Sequence, residues 1–322
     1  MSGQFISRLN QVRKFGIFSM AYSTLQDSLE VFENPEFEGF IAYQNIIGRT
    51  FVLSNPLTKP SDYEKATRLF LKQYPAVIVC QASVEYAKVL RRLGFYVTGF
   101  GCDNILSMDE FEVSRRIRPN LHRFYTRIRN LGFSVVEDSG EFERLKEINK
   151  EWLEKKQNKR EFRFLARPFI SNQEPDVRIF LLKNSDNIVG FCTFDPIYSS
   201  EQNGEVESYV IQHLRVGFDQ PRGATDFLLI SSLNMLKQDG YREISLGLSL
   251  LHQRANTMNH IDFVVEFLLN MFYHHSALYK CKTVAEHKDR YHTRKDPTYI
   301  AFRKRMDIKG IIGIVKVNGL QD

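Results

Sequence analysis

The segment Glu205–Arg215 reads EVESYVIQHLR, a strand-like run that spaces an acid, a tyrosine and a histidine at alternate positions. Strict alternation sets Glu205, Glu207, Tyr209, Ile211 and His213 on one face, and Ser208, Val210, Gln212 and Leu214 on the other, unless a bulge intervenes. Such a face could run acyl transfer to an amine. Glu207 or His213 would take the proton, Tyr209 would give one, and cationic donors would hold the developing oxyanion. Charges on an edge strand also discourage unwanted pairing, and each of these residues taken alone fits a structural role better. The next segment, Arg215–Asp226 (RVGFDQPRGATD), leaves the strand and opens a helix. There Arg222-Gly223-Ala224 could present backbone N–H groups to a phosphate at a helix N-terminus, with Gly223 allowing close approach. The spaced glycines of a full phosphate loop are absent. On this loop alone, an ordinary turn with Thr225 or Asp226 near the N-cap is the plainer reading.

Two further stretches concentrate positive charge. Between Arg115 and Arg129 lie six arginines, Arg118, Arg123 and Arg127 among them, and no acid to pair with them along a helix. Anion binding and a solvated helix face compete about equally there. The run Leu278–Arg303 carries seven Lys and Arg, including Lys288 and Arg290, against three acids. Leu278, Tyr279, Val284, Tyr291, Tyr299, Ile300 and Phe302 are threaded through it, so it reads as a packed basic surface rather than a disordered tail.

At 322 residues the chain can bury ample core, and its length suggests two domains. A net charge of +6 leans mildly towards anionic partners. No apolar run is long enough to span a bilayer, and the N-terminus lacks the apolar core of a signal peptide. The four cysteines (Cys80, Cys102, Cys192 and Cys281) are scattered without a CxxC pair, as in reduced cytoplasmic proteins. No Cys/His cluster has ligand spacing, so no metal site is expected.

These residues need elements to position them. Strands are predicted at Phe40–Tyr43, Thr50–Leu53, Ala76–Cys80, Phe95–Gly99 and Asn104–Met108, with helices at Tyr63–Gln73 and Val84–Leu93. Beyond the arginine helix, which Pro119 starts and Gly132 stops, come a strand at Phe133–Glu137 and a helix at Phe142–Lys156. Strands follow at Val177–Lys183, Ile188–Asp195 and Glu205–Leu214. The series closes with a helix at Phe227–Gln238, a strand at Glu243–Leu246 and a long apolar helix at Ile261–His274. The order helix, three antiparallel strands, helix, strand, helix resembles an N-acetyltransferase unit of the GNAT superfamily. The expected class is α/β (α+β), with two fused GNAT-like units, residues 1–117 and 118–322. Each would be a mixed, mostly antiparallel sheet flanked by helices.

An ordered set of motifs resembles the phosphatidylglycerol lysyltransferase C-terminal domain family, the cytosolic catalytic part of the bacterial multiple peptide resistance factor. Arg118–Gly132 is similar to that family's basic helix. Trp152-Leu153 with Lys155-Lys156, then Phe162 and Phe164, is similar to its tryptophan-leucine segment, and Pro221–Leu228 to its loop. Gly240-Tyr241 to Ser245-Leu246-Gly247 is similar to its glycine-tyrosine strand. Leu278-Tyr279, Lys288, Arg290, Tyr291, Pro297 and Tyr299 follow in family order. The resemblance implies transfer of an aminoacyl group from aminoacyl-tRNA to an acceptor, often a lipid headgroup hydroxyl, with no further cofactor. Arg215, Lys288 and Arg290 would hold the donor end or the oxyanion, Arg222, Gly223, Asp226 and Tyr291 would build the loop, and Arg118, Arg123 and Arg127 would meet tRNA phosphates. Two departures stand out. The family's membrane-spanning half is not in this sequence, which suggests a cytoplasmic enzyme, at most peripheral to the membrane's inner face, with its own acceptor. Gln212 also stands where the family has an aspartate, which puts lysylation of phosphatidylglycerol in question. Two other readings stay open: an N-acyltransferase using acyl-CoA or acyl-carrier protein, with Phe263, Leu268 and Phe272 lining an acyl tunnel, and a non-catalytic binding module.

Overall fold

The computed structural model describes residues 3–319 apart from 139, 157–158, 171, 202–203, 256–269, 271–280 and 306. The expected helix at Ile261–His274, with its tunnel residues, and Leu278-Tyr279 lie outside the described residues.

The helices form where caps and apolar spacing coincide. They are α1 (Gly3–Phe15), α2 (Tyr63–Gln73), α3 (Val84–Arg92), α4 (Pro119–Asn130), α5 (Phe142–Glu154), α6 (Ala224–Gln238), α7 (Cys281–Asp289) and α8 (Ile308–Val317). Ser83 caps α3 by accepting from Tyr86 N at 3.3 Å, and Asp307 caps α8 by accepting from Gly310 N at 2.9 Å. Pro119 opens α4, whose Leu121, Phe124 and Ile128 are buried at helical spacing.

The strands are β1 (Glu30–Asn34), β2 (Phe37–Ile46), β3 (Arg49–Leu53), β4 (Val77–Ala82), β5 (Tyr96–Ser107), β6 (Phe133–Glu137), β7 (Arg178–Asn184), β8 (Asn187–Tyr198), β9 (Val206–Val216), β10 (Glu243–Leu250) and β11 (Arg294–Phe302). They form one mixed 11-stranded sheet in the order β1-β2-β3-β4-β11-β5-β10-β9-β8-β7-β6. The α+β class is therefore the observed one. The halves share a single sheet, and β11 from the C-terminal end pairs antiparallel between β4 and β5. The expected pair Phe95–Gly99 and Asn104–Met108 is one continuous strand, β5. Gly99 and Gly101 do not break it; a Cβ on Gly101 would lie 2.3 Å from Ser249 O, so glycine lets two backbones close there.

Alternation sorts the sheet's side chains into two faces. Phe51, Ile78, Ile300, Leu181 and Phe191 join one core with α1, α5, α8 and residues 162–165. On the opposite face Val52, Val79 and Ala301 pack under α2 and α3. Phe180, Cys192 and Ile244 pack under α4 and α6 on that same face.

Candidate functional site

Strands β9 and β10 run parallel but pair only at Tyr209↔Ile244 and Val210↔Ser245. Beyond that point they part. On β9 the register against β8 slips between Ile211 and His213, which makes Gln212 the extra residue of a bulge. On β10 the register slips between Ser245 and Leu248, around Gly247 at φ +75°. A cavity of about 140 Å3 fills the opening, lined by Val210, Gln212, Gly247, Leu248, Phe162 and Lys288 among others.

The bulge corrects the face expected from alternation. Tyr209 and Ile211 point into the α4–α6 core, where Leu214 and Val216 rejoin them. His213 and Arg215 are thereby turned to the other face. Tyr209 is buried edge-on against Tyr241 at 5.0 Å, and burial raises its pKa far above the ordinary tyrosine value. His213 has both ring nitrogens engaged: Nδ1 lies 2.8 Å from Thr193 Oγ1 and Nε2 lies 3.0 Å from Arg167 O. Burial, helped by Arg215 and Arg167, lowers its pKa well below the usual value, so it is a neutral, satisfied core histidine. Glu207 is exposed and faces open space.

Lys288 reaches the cavity from α7 and donates to Leu248 O at 2.8 Å. Burial pushes its pKa down to about 8, against the pull of Asp103 and Cys102. Gln212 donates to Arg167 O at 3.0 Å. Arg167 was not singled out from the sequence, yet it anchors the site's wall. Fully buried, it meets Asp195 through Nε (3.1 Å) and Nη2 (2.6 Å) and Glu174 through Nη1. The one available signal was Asp195, a carboxylate within a largely apolar strand, which demands a buried partner.

Arg215 is 6% exposed and packs over the Trp152 ring at 4.1 Å. One nitrogen, Nη2, donates to Glu161 at 2.6 Å, while Nε and Nη1 are buried without a hydrogen-bond partner. Lys156 lies over the same ring at 3.9 Å, and burial and Arg215 push its pKa down to about 8. Two unpaired guanidinium donors beside a second cation form an anion-ready corner.

Arg290 is already committed: it grips Asp226 with two bonds, at 2.8 and 3.1 Å. Tyr291 donates to the same carboxylate at 2.8 Å, and His287 lies 3.1 Å from it. Burial alone would raise the Asp226 pKa; His287, Arg290 and Tyr291 outweigh it and hold the carboxyl below its usual value. This cluster straps the end of α7 to the first turn of α6. Beside it, Arg222, Gly223, Thr225, His287 and Arg290 line a cavity of about 500 Å3 at the α6 N-terminus. Gly223 sits at φ +99°, and a Cβ there would strike Phe124 Cβ at 2.7 Å and its ring at 2.9 Å, so only glycine fits.

The arginine helix divides. Arg118 is buried, donating to Glu112 O at 2.5 Å and Tyr291 O at 3.0 Å. Arg123 and Arg127 are exposed and, with Arg115 and His122, line a groove of about 470 Å3. Arg123 and Arg222 both lie over the Phe124 ring, at 5.5 and 5.4 Å, which joins the groove to the α6 cleft.

A cavity of about 1020 Å3, larger than the three above, opens between the two halves and adjoins the small one at Ser19, Met20 and Gln81. Six carboxylates line it (Glu85, Asp103, Asp109, Glu207, Glu243 and Asp296) against Arg242 and Arg294. Arg294 is already spent on Glu243 and Asp296. Asp103 and Asp296 stand opposite each other across β5 and β11; Arg294 pairs with Asp296, and Ser245 Oγ donates to Asp103 at 2.7 Å. Gln81 Oε1 and Thr298 Oγ1 are buried there without partners.

The family model for the phosphatidylglycerol lysyltransferase C-terminal region matches residues 10–302. A phosphatidylglycerol lysyltransferase of Staphylococcus epidermidis is 22% identical over 92% of this chain and 35% of its own length. That of Staphylococcus aureus is 22% identical over 91% of this chain and 35% of its own length. The chain thus spans about a third (35%) of the length of these curated relatives. The solved structure of L-PGS from Bacillus licheniformis superposes with a TM-score of 0.81 at 20% identity, over 99% of this chain and 97% of that one.

Proposed function

The chain belongs to the phosphatidylglycerol lysyltransferase C-terminal family, and on that footing we propose that it transfers an aminoacyl group from aminoacyl-tRNA to a hydroxyl or amine acceptor, a lipid headgroup among them. The observation that carries the reading is Lys288, held at the parting of β9 and β10 by its bond to Leu248 O and lining the cavity there. The donor ester is already activated, so the protein's task is to position it and stabilise the oxyanion. The acceptor oxygen or nitrogen bonds to the ester carbonyl carbon, and its proton leaves for a base. The carbonyl oxygen becomes the oxyanion that Lys288 meets. As the carbonyl re-forms, the bond to the tRNA ribose oxygen breaks and that oxygen takes up a proton. Of Glu207, Tyr209 and His213, only Glu207 faces open space where it could accept the acceptor's proton. Carboxylates around the large cleft, with Gln81 and Thr298 unpaired, favour a donor whose aminoacyl group carries positive charge.

The arginine groove and the α6 cleft supply the phosphate contacts. tRNA binding is expected to weaken steeply with salt, and Arg123→Ala and Arg127→Ala are each expected to lower the slope of log affinity against log salt by about one. Filter binding between low and moderate salt checks this; a salt-insensitive affinity, or none at low salt, removes tRNA from the account. The glycine loop at the α6 N-terminus favours the second reading, an acyl-CoA donor with its pyrophosphate in that cleft. Thermal stabilisation by a CoA panel, absent with charged tRNA, would select it.

A further inference from the structure

Helix α8 closes one face of the sheet, with Gly310, Gly313 and Val317 buried. A Cβ on Gly313 would lie 2.4 Å from the Phe51 ring and 3.5 Å from Ile47 Cδ1, so the helix packs close and the tip of the β2–β3 hairpin sits against it. The outward side of this junction is unusual. Ile308 and Ile312, one turn apart, are each 47% exposed, and Ile47 is 44% exposed. Ile47 and Gly48 form a two-residue hairpin loop with φ of +47° and +71°. That geometry favours Asn-Gly, and a β-branched residue is strained in it. The chain thus keeps an isoleucine where local energetics and water both oppose it, beside two other exposed isoleucines. On the same stretch of chain stand Lys304, Arg305 and Lys309, all exposed. The acid of this stretch, Asp307, is buried and paired with Arg49 at 2.7 Å.

From this juxtaposition we propose that the Ile47, Ile308 and Ile312 surface docks the protein on an anionic membrane. The isoleucines enter the headgroup–acyl boundary, and the lysines and arginine meet lipid phosphates. Nucleic acid would use the cations and leave the isoleucines in water, whereas an anionic bilayer uses both. The docking deepens the lipid-acceptor form of the proposed function, but it is read by binding alone, so either can fail without the other.

The test is sedimentation with vesicles of phosphatidylcholine containing phosphatidylglycerol, against vesicles of phosphatidylcholine alone. Wild type is expected to bind the anionic vesicles, more weakly at high salt, and Ile308→Ser with Ile312→Ser to lower that affinity at least tenfold. Melting temperature and tRNA affinity should stay unchanged. Ile47→Asn separates docking from folding: it should raise the melting temperature by relieving the turn, yet weaken vesicle binding. Equal binding by wild type and the double variant, or no binding by wild type, overturns the proposal. So does a wild type that dimerises through this face and ignores vesicles while the double variant is monomeric.

Discussion

An Arg167→Ala variant is expected to lose about 3–5 kcal/mol of stability, a large part of what a domain of ordinary stability has. The reason is what remains behind. Asp195 and Glu174 both take their charge partner from this one guanidinium, and both are buried. Burial already raises the Glu174 pKa despite Arg167, so without Arg167 that carboxyl can relieve the strain only by taking up a proton. In the variant the Glu174 folded pKa, already raised by burial, then lies further above its unfolded one, a deficit that is full at neutral pH. The stability deficit should accordingly shrink as pH falls towards the range where buried carboxyls protonate. Urea midpoints for wild type and variant across that range check the claim. A triple variant, Arg167→Met with Asp195→Leu and Glu174→Met, should recover most of the loss, because removing all the charges leaves none uncompensated. The effect reaches the site, since Arg167 O holds both Gln212 and His213 on the β9 bulge.

Lys288→Met is expected to do the opposite: lower transfer by about 10²- to 10³-fold, as loss of one oxyanion donor does elsewhere, while leaving the fold intact. Burial depresses the Lys288 pKa from 10.5 to about 8. The charged form is therefore penalised in the folded state below about pH 8, and that penalty fades as pH rises from 8 to 10.5, where only the unfolded chain still binds the proton. Lys288→Met should match or exceed wild-type stability at neutral pH, with the difference closing over that interval. Wild-type transfer should decline above about pH 8 as the ammonium is lost. Thermal melts beside single-turnover transfer rates test both halves. A variant that melts early and keeps its rate per folded molecule would make Lys288 structural.

Where a signal was local, the sequence read closely to the structure. Tyr63–Gln73 and Phe133–Glu137 were placed from caps, spacing and turn residues, all short-range. What it concealed depends on partners far along the chain. The bulge at Gln212 is invisible to alternation, so His213 and Tyr209 looked like neighbours on a face they do not share. Arg118 was expected at the surface, because nothing local shows that the Tyr291 carbonyl, 173 residues on, accepts its hydrogen bond. The basic C-terminal run concealed α7 and β11: its charges masked the apolar positions, and pairing between β4 and β5 is a long-range choice. Arg290 drew attention for its charge, but Asp226 consumes that charge. Arg215, by contrast, keeps two guanidinium nitrogens unpaired.

The central claim is that an aminoacyl group leaves tRNA on this protein. Radiolabelled aminoacyl-tRNAs, each in turn, incubated with the purified chain and phosphatidylglycerol vesicles or small amines, test it by the fate of the label. The account predicts label in the lipid or amine fraction, strongest for a cationic aminoacyl group and lost with Lys288→Met. Every aminoacyl-tRNA remaining intact, while an acyl-CoA is consumed in its place, would contradict it.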